Sequence, residues 1–412
     1  MTFFVKNNCL LPVKQTNKTN NILKKLYYDI KNGVSYIEEL KVKKGDDFYK
    51  LKIEHITNVN QIPKPSTFPP NSFPPEIRNH IDENSIGLFT YTFHLFERKI
   101  SILFLVEENI ADLIEKYNNY VDYMLVWLYI VHLYSPRGKC ANHLKIFIYH
   151  TSLLKLLPIS NIEILNENHI NTAFTRTCPV DAEIVIYREE EWFKVFIHET
   201  FHNFGLDFSD MNNASCNEKI LNIFPVNSHV NLYESYTEFW ARIMNALLCS
   251  FINMKDKNNI DEFLTNSEFF IHFERIYSFF QMVKVLDFMS LTYKDLYKKN
   301  TLSENMRKTL YKENTSVLSY YVITLILINN YQDFLSWCNN NNIIILNFKK
   351  TLNNLDHFCT FIEKKYKTKN MLDGVECMET FLKKIKKTSK KQKQTMLIYL
   401  LKNLRMTICE LG

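Results

Sequence analysis

The stretch AEIVIYREEEWFKVFIHETFHNFG, residues 182 to 205, constrains this chain more than any other. Its first seven residues read as a buried strand, and the apolar period then changes at once from 2 to 3.6. From Glu189 to Phe204 the pattern predicts a helix. Three glutamates at its start suit the positive end of a helix dipole, and Gly205 is a natural C-terminal stop. At about 100° per residue, His198 and His202 share one side, while Phe193, Phe196, Ile197, Phe201 and Phe204 fall on the other. The helix is expected to anchor by its phenylalanines and present its histidines.

Residues 198 to 202, HETFH, read His-Glu-x-x-His. With 12 histidines in 412 residues, chance alone produces such a match in on the order of a few per cent of chains, so the surroundings must carry the argument. Two imidazoles one helical turn apart can both reach a metal about 2.0 to 2.1 Å away, the spacing that zinc sites use. Glu199 then stands beside the metal, placed to accept a proton from water activated there. Two histidines leave a catalytic zinc one protein ligand short. In the longer pattern HExxHxxGxxH, Gly205 matches but the last position is Phe208. A second amphipathic helix, NLYESYTEFWARIMNALL (231 to 248), has Leu232, Tyr236, Phe239, Ile243 and Leu247 on its apolar face. Glu234, Glu238, Ala241 and Asn245 line the opposite stripe, either as a solvated face or with a carboxylate as the missing ligand. His229, Asp207, Asp210 and Glu218 are the other candidates.

The rest of the chain sets the frame. Its length suits two or three domains, and 46% hydrophobic with 23% charged residues is ordinary globular usage. Residues 1 to 61 predict a helix and then a hairpin turning at Gly45 and Asp46, and 62 to 78 form a proline-rich linker holding PKPSTFPPNSFPP. A catalytic core over 79 to 255 follows. It contains a hairpin at 89 to 106, a helix at about 110 to 134, and strands at 144 to 150, 171 to 175 and 182 to 188. Residues 256 to 412 read as a helical domain. The fold class is therefore α+β: a small mixed sheet plus the HETFH helix, with a mostly helical C-terminal domain. A net charge of +6 implies no nucleic-acid partner unless the basic residues cluster. The one cluster, KKIKKTSKKQKQ (383 to 394), reads as a solvated connector between two helices. The nine cysteines never form C-x-x-C and read as reduced thiols. No signal peptide is evident, and no apolar run reaches the roughly 18 residues of a membrane span. A soluble intracellular protein is expected.

HETFH followed by ESYTE resembles the gluzincin metallopeptidases, over roughly residues 110 to 255 of this chain. The resemblance implies a Zn2+ ion held by His198, His202 and Glu234, with Glu199 as general base. Glu238, where many members carry aspartate, would orient a histidine, and its loss would lower metal affinity about ten- to hundred-fold. NTAFT then looks like the zincin edge strand, so Asn171 and Ala173 would hold substrate by strand addition. By analogy with tyrosines on later helices of the family, Tyr320 or Tyr321 would steady the oxyanion, with Tyr236 and His229 as alternatives and core packing as the plainer role. The aminopeptidase signature G-x-M-E-N is absent, which implies an endopeptidase acting on a peptide or protein. The whole chain is also similar to metallopeptidase-like proteins of large DNA viruses, implying a place in the host cytoplasm or virion. The other reading is a zincin-like binding or assembly protein without turnover.

Overall fold

The chain was analysed as a computed structural model that describes residues 10, 12–45, 48–110, 113–136, 140–392 and 395–411, with 390–392 described by backbone alone. Its frame is a six-stranded mixed sheet in the order β1-β2-β3-β4-β6-β5. The strands are β1 (Lys50–His55), β2 (Gly87–Leu95), β3 (Arg98–Val106), β4 (His143–His150), β5 (Ala173–Thr175) and β6 (Asp181–Ile186). β1, β2 and β3 pair antiparallel, β3, β4 and β6 run parallel, and β5 returns antiparallel on the far edge. A parallel step needs a long crossover. Between β3 and β4 that crossover includes the helix Ile114–Tyr134.

Both faces of the sheet are covered, as near-continuous apolar strands require. On one face Phe104, Ile146, Ile148, Ile184 and Ile186 join the main helical core. On the other, Leu103, Leu105, Phe147, Val185 and Tyr187 meet Phe73, Ile77 and Ile81. That second cover comes from the proline-rich segment and the helix Pro75–Asn84. The Tyr149 hydroxyl donates to the Pro63 carbonyl at 2.6 Å, and the backbone N–H and hydroxyl groups of Ser66 and Thr67 all donate to Glu183. The segment at 62 to 78 thus runs between two strands of one sheet and lies along its face.

The hairpin expected at Gly45 and Asp46 does not form. A helix runs from Asn17 to Lys44 and stops at Gly45, whose φ of 54° is a left-handed conformation that glycine adopts without strain. β1 then pairs with β2, a partner distant in sequence, in place of the neighbouring KVKK residues. Asp46 lies outside the described residues. The lysine run is likewise not a connector: Lys383, Lys384, Lys386 and Lys387 continue the helix Lys369–Gln392, with Ile385 buried among them. The expectation of reduced thiols is corrected in part: Cys140 pairs with Cys178 and Cys216 with Cys359, whereas Cys249, Cys338 and Cys409 are buried free thiols. Sequence spacing does not report such pairs. Folding brings their Cα atoms to 4.6 and 6.1 Å, within reach of a disulfide.

After the sheet, the chain is mostly helical. The helices Leu232–Ile252 and Ile260–Phe288 pack against each other, and the first also packs against the HETFH helix, Trp192–Asn203. Among the described residues, no helix is long and apolar enough to cross a membrane.

Candidate metal centre

For the site, β6 leads through Tyr187–Glu191 into α1 (Trp192–Asn203), which packs against α2 (Leu232–Ile252). Every residue of α1 is buried, on the histidine side as well as the phenylalanine side. The histidines are thus enclosed and not presented as expected, because α2 and the later helices cover their face. Nor do the three leading glutamates serve the helix dipole. Glu191 sits before the helix with a φ of 64° and makes no capping bond. Its buried carboxylate takes the Lys155 ammonium at 2.9 Å and the backbone N–H groups of Met406 and Thr407 at 2.5 and 2.6 Å. Glu190 accepts from the Lys155 N–H, and Glu189 pairs with Lys116 at 3.0 Å.

His198, His202 and Glu234 converge. The two Nε2 atoms are 3.2 Å apart, and Glu234 Oε2 lies 3.0 Å from His198 Nε2 and 3.5 Å from His202 Nε2. The three residues form a group able to hold a metal ion. The outer nitrogens fix the tautomers. His198 Nδ1–H donates to Glu238 at 3.0 Å, and His202 Nδ1–H donates to Asp207. Carboxylates only accept, so both Nδ1 atoms carry protons, and each Nε2 faces the common centre.

Asp207 therefore orients a ligand and is not itself the third one. It is fully buried, and it also accepts from Ser209 N–H and Oγ at 2.9 and 2.7 Å and from Thr237 Oγ1 at 3.3 Å. Asp210 instead pairs with Lys350, and Glu218 is exposed. Glu238 does more than orient His198. It takes both Lys194, at 3.0 and 3.2 Å, and Arg242 Nε, at 2.8 Å. The sequence analysis passed over both cations. Lys194 lies four residues before His198 on the ligand stripe, and Arg242 lies four after Glu238, so helical spacing held the signal.

Burial pulls the pKa of His202 down, but Asp207 and Glu234 outweigh it and hold it well above the ordinary value. Burial would raise the Glu234 carboxyl, yet His202 and His198 hold it far below the usual range. Glu238 is likewise depressed by Lys194 and Arg242 against its burial. Glu199 differs. Burial raises its pKa, and the neighbouring histidines offset only part of that.

The two candidate tyrosines separate on a π-helical turn, Leu318–Ile323. Tyr320 donates to Glu234 Oε2 at 2.9 Å, and its ring lies 6.0 Å from that of His198. Tyr321 points away and donates to the Leu404 carbonyl at 2.6 Å, which removes it from the candidate site. Tyr236 is also elsewhere, bonded to the Leu346 carbonyl and the Asn342 amide. Asn171 and Ala173 line a cavity of about 30 Å³ together with His198, Glu199, Lys194 and Tyr320. Asn171 also accepts from Thr315 Oγ1 at 2.9 Å. The Thr172 carbonyl accepts from the N–H of Tyr187, the residue after β6, so by antiparallel alternation the Ala173 N–H and C=O face the open edge. His229 lies on the wall of a larger adjoining cavity of about 570 Å³, which shares Asn171 and Tyr320 with the small one.

No protein-family model, no curated protein and no solved structure matches this chain.

Proposed function

We propose that the centre binds Zn2+ and hydrolyses peptide bonds, as a metalloendopeptidase of gluzincin type. The observation that carries this reading is the spacing of the three donors. Ligands about 2.0 to 2.1 Å from a shared tetrahedral ion lie about 3.3 Å from one another, and these lie 3.0, 3.2 and 3.5 Å apart. Zinc, when bound, supplies Lewis-acid polarisation of the scissile carbonyl and lowers the pKa of water.

The chain's own residues supply the remainder. The open edge at Ala173 holds the substrate backbone in extended form. Asp207 and Glu238 keep the Nδ1 protons in place, so that both imidazoles stay available as ligands. Glu199, with no hydrogen-bond partner among the described residues and a raised pKa, takes a proton from water and passes it to the leaving amine. The Tyr320 hydroxyl turns from Glu234 to donate to the oxyanion that develops on the carbonyl.

Metal analysis paired with cleavage profiling tests this directly. The purified protein is expected to carry about one zinc per chain and to cleave peptides. Glu199→Gln keeps the size of the side chain but not its basicity, so it should retain zinc while hydrolysis falls at least roughly a hundred-fold. Zinc without cleavage in the parent would favour a binding or assembly role. Absence of zinc affinity would remove the reading altogether.

A further inference from the structure

The two cavities that meet at the metal centre are unequal. The small one, about 30 Å³, has room for little more than a water. The larger, about 570 Å³, is of the size that takes a whole side chain. They share Asn171 and Tyr320, with His198 and Glu199 bordering the small cavity and Glu234 the large one. A peptide bond lying across the ligands therefore directs one neighbouring side chain into the large cavity and leaves space on the other side only for a small residue.

The lining of the large cavity is acidic. Its carboxylates are Glu167, Glu234 and Glu313, its other ionisable residues are His229 and Tyr320, and it contains no lysine or arginine. Glu234 is occupied by the histidines and Tyr320. Glu313 accepts from Tyr311 Oη at 3.0 Å and Leu318 N–H at 3.1 Å, and the Ser228 hydroxyl and Val317 N–H also act on it, all of them neutral donors. Among the described residues, neither Glu313 nor Glu167 has an ion-pair partner. With neutral donors alone, a charge on Glu313 is not balanced by any cation among the described residues, and a substrate cation could replace the weaker of them. The wall around it is firm: Asn314 N–H donates to the Leu165 carbonyl, Thr315 Oγ1 to Asn171, and Asn231 Nδ2 to Ser316 Oγ.

We propose that this cavity is the subsite for a lysine or arginine side chain of the substrate, with Glu313 as its specificity-determining residue and Glu167 at its rim. The assignment rests on the reading of the centre as a peptidase and adds the substrate class to it. A long aliphatic stem crosses the cavity, and the terminal ammonium or guanidinium meets Glu313, the charge-assisted pairing that this carboxylate lacks within the chain.

Two measurements test it. In the first, the parent enzyme is profiled on a peptide library, and matched peptides with arginine or norleucine beside the scissile bond are compared. Lysine and arginine are expected to dominate at one position, and Glu313→Gln should lower the arginine-to-norleucine ratio of kcat/KM by at least roughly ten-fold. The glutamine can keep its oxygen on the Leu318 N–H and turn its amide NH2 to the Tyr311 hydroxyl, which then accepts, so the fold is expected to survive, and Glu167→Gln at the exposed rim gives a second, milder variant. In the second, Nα-acetyl-arginine methylamide and its norleucine analogue are titrated calorimetrically into zinc-loaded Glu199→Gln protein. The arginine compound alone should bind, and Glu313→Gln in that background should weaken it. Cleavage with no preference for basic residues would overturn the subsite and leave the peptidase reading intact. Arginine binding without any cleavage by the parent would support the subsite and overturn the peptidase reading. Equal binding of both compounds would also overturn the subsite.

Discussion

Glu238→Ala is expected to damage the fold more than the metal site. Glu238 is 1% exposed and holds three partners: Lys194 Nζ, Arg242 Nε and His198 Nδ1. Removing it leaves two cations buried. Arg242 retains Ser278 Oγ at 2.8 Å and the Tyr320 carbonyl at 3.3 Å, but Glu238 is the only acceptor of Lys194 among the described residues. Breaking a buried pair by deleting one partner costs roughly 3 to 5 kcal/mol, because the survivor is left uncompensated. Net stabilities run at about 5 to 15 kcal/mol, so about a fifth of the total or more is at stake. The measurement is urea unfolding with the metal chelated, which excludes the stabilisation that a bound ion adds by mass action. Adding Lys194→Met to Glu238→Ala should recover part of the loss, a coupling between contacting residues that independent sites do not show. If Glu238→Ala stays within about 1 kcal/mol of the parent, the buried network is not the support described here. The sequence-based expectation, a modest loss of metal affinity alone, would then stand.

Asp207→Ala should weaken metal binding about ten- to hundred-fold by freeing the His202 ring, as a competitive chelator titration would read; unchanged affinity would show that Asp207 does not orient the ligand. Tyr320→Phe should lower kcat roughly ten- to a thousand-fold with zinc retained. Tyr321→Phe should leave peptide turnover close to the parent and cost about 1 kcal/mol of stability through its lost bond to Leu404; an equal fall in kcat for both variants would refute the separation. Burial raises the Glu313 carboxyl to about 7, so between about 4.5 and 7 the folded chain keeps a proton that the unfolded chain has lost. Its contribution to stability is full below about 4.5 and is lost as pH rises through 7, at most roughly 3 kcal/mol. Unfolding midpoints of the metal-free protein at pH 5 and 8 should therefore differ less in Glu313→Gln, and an identical pH dependence in both proteins would contradict the assigned shift.

The helices and strands around the site were legible where one period ran on without interruption. AEIVIYR and the helix behind it have strong signals of their own, and ESYTE on the next helix set Glu234 and Glu238 one turn apart on a common stripe. Pairing between distant segments was not legible. Nothing in LKIEH says that it should join residues 87 to 92 in place of its neighbours, and β1 was accordingly misplaced. Asp207 was noticed only as one of several alternative ligands, and not as a partner of His202, because the loop after Gly205 has no period from which its direction can be read. Tyr320 and Tyr321 were inseparable for a related reason. Adjacent residues on an α-helix differ by about 100°, and the π turn that sets their orientation leaves no mark in composition. The long acidic cavity draws on residues 167, 171, 227 to 234 and 313 to 320, segments that only tertiary packing brings together.

Burial of the whole centre also bears on what it can hold. Four carboxylates, Glu199, Asp207, Glu234 and Glu238, stand on or around the two histidines, and Lys194 and Arg242 are the two fixed cations within the same network. With all four carboxylates ionised and both imidazoles neutral the sum is −4 + 2 = −2, a state that the metal-free chain avoids by keeping a proton on His202, whose pKa Asp207 and Glu234 hold well above the ordinary value. An interior of low dielectric does not tolerate two uncompensated charges, since each costs several kcal/mol after relaxation. A divalent cation at the point where the two Nε2 atoms and Glu234 Oε2 converge would displace such protons and bring the balance to zero. The same accounting explains why a helix buried on every side carries His198, Glu199 and His202 at all. Lys194 and Arg242 hold the carboxylate that fixes His198, and in the proposed centre the ion would offset Glu234 and Glu199, one as its ligand and the other as the base beside it.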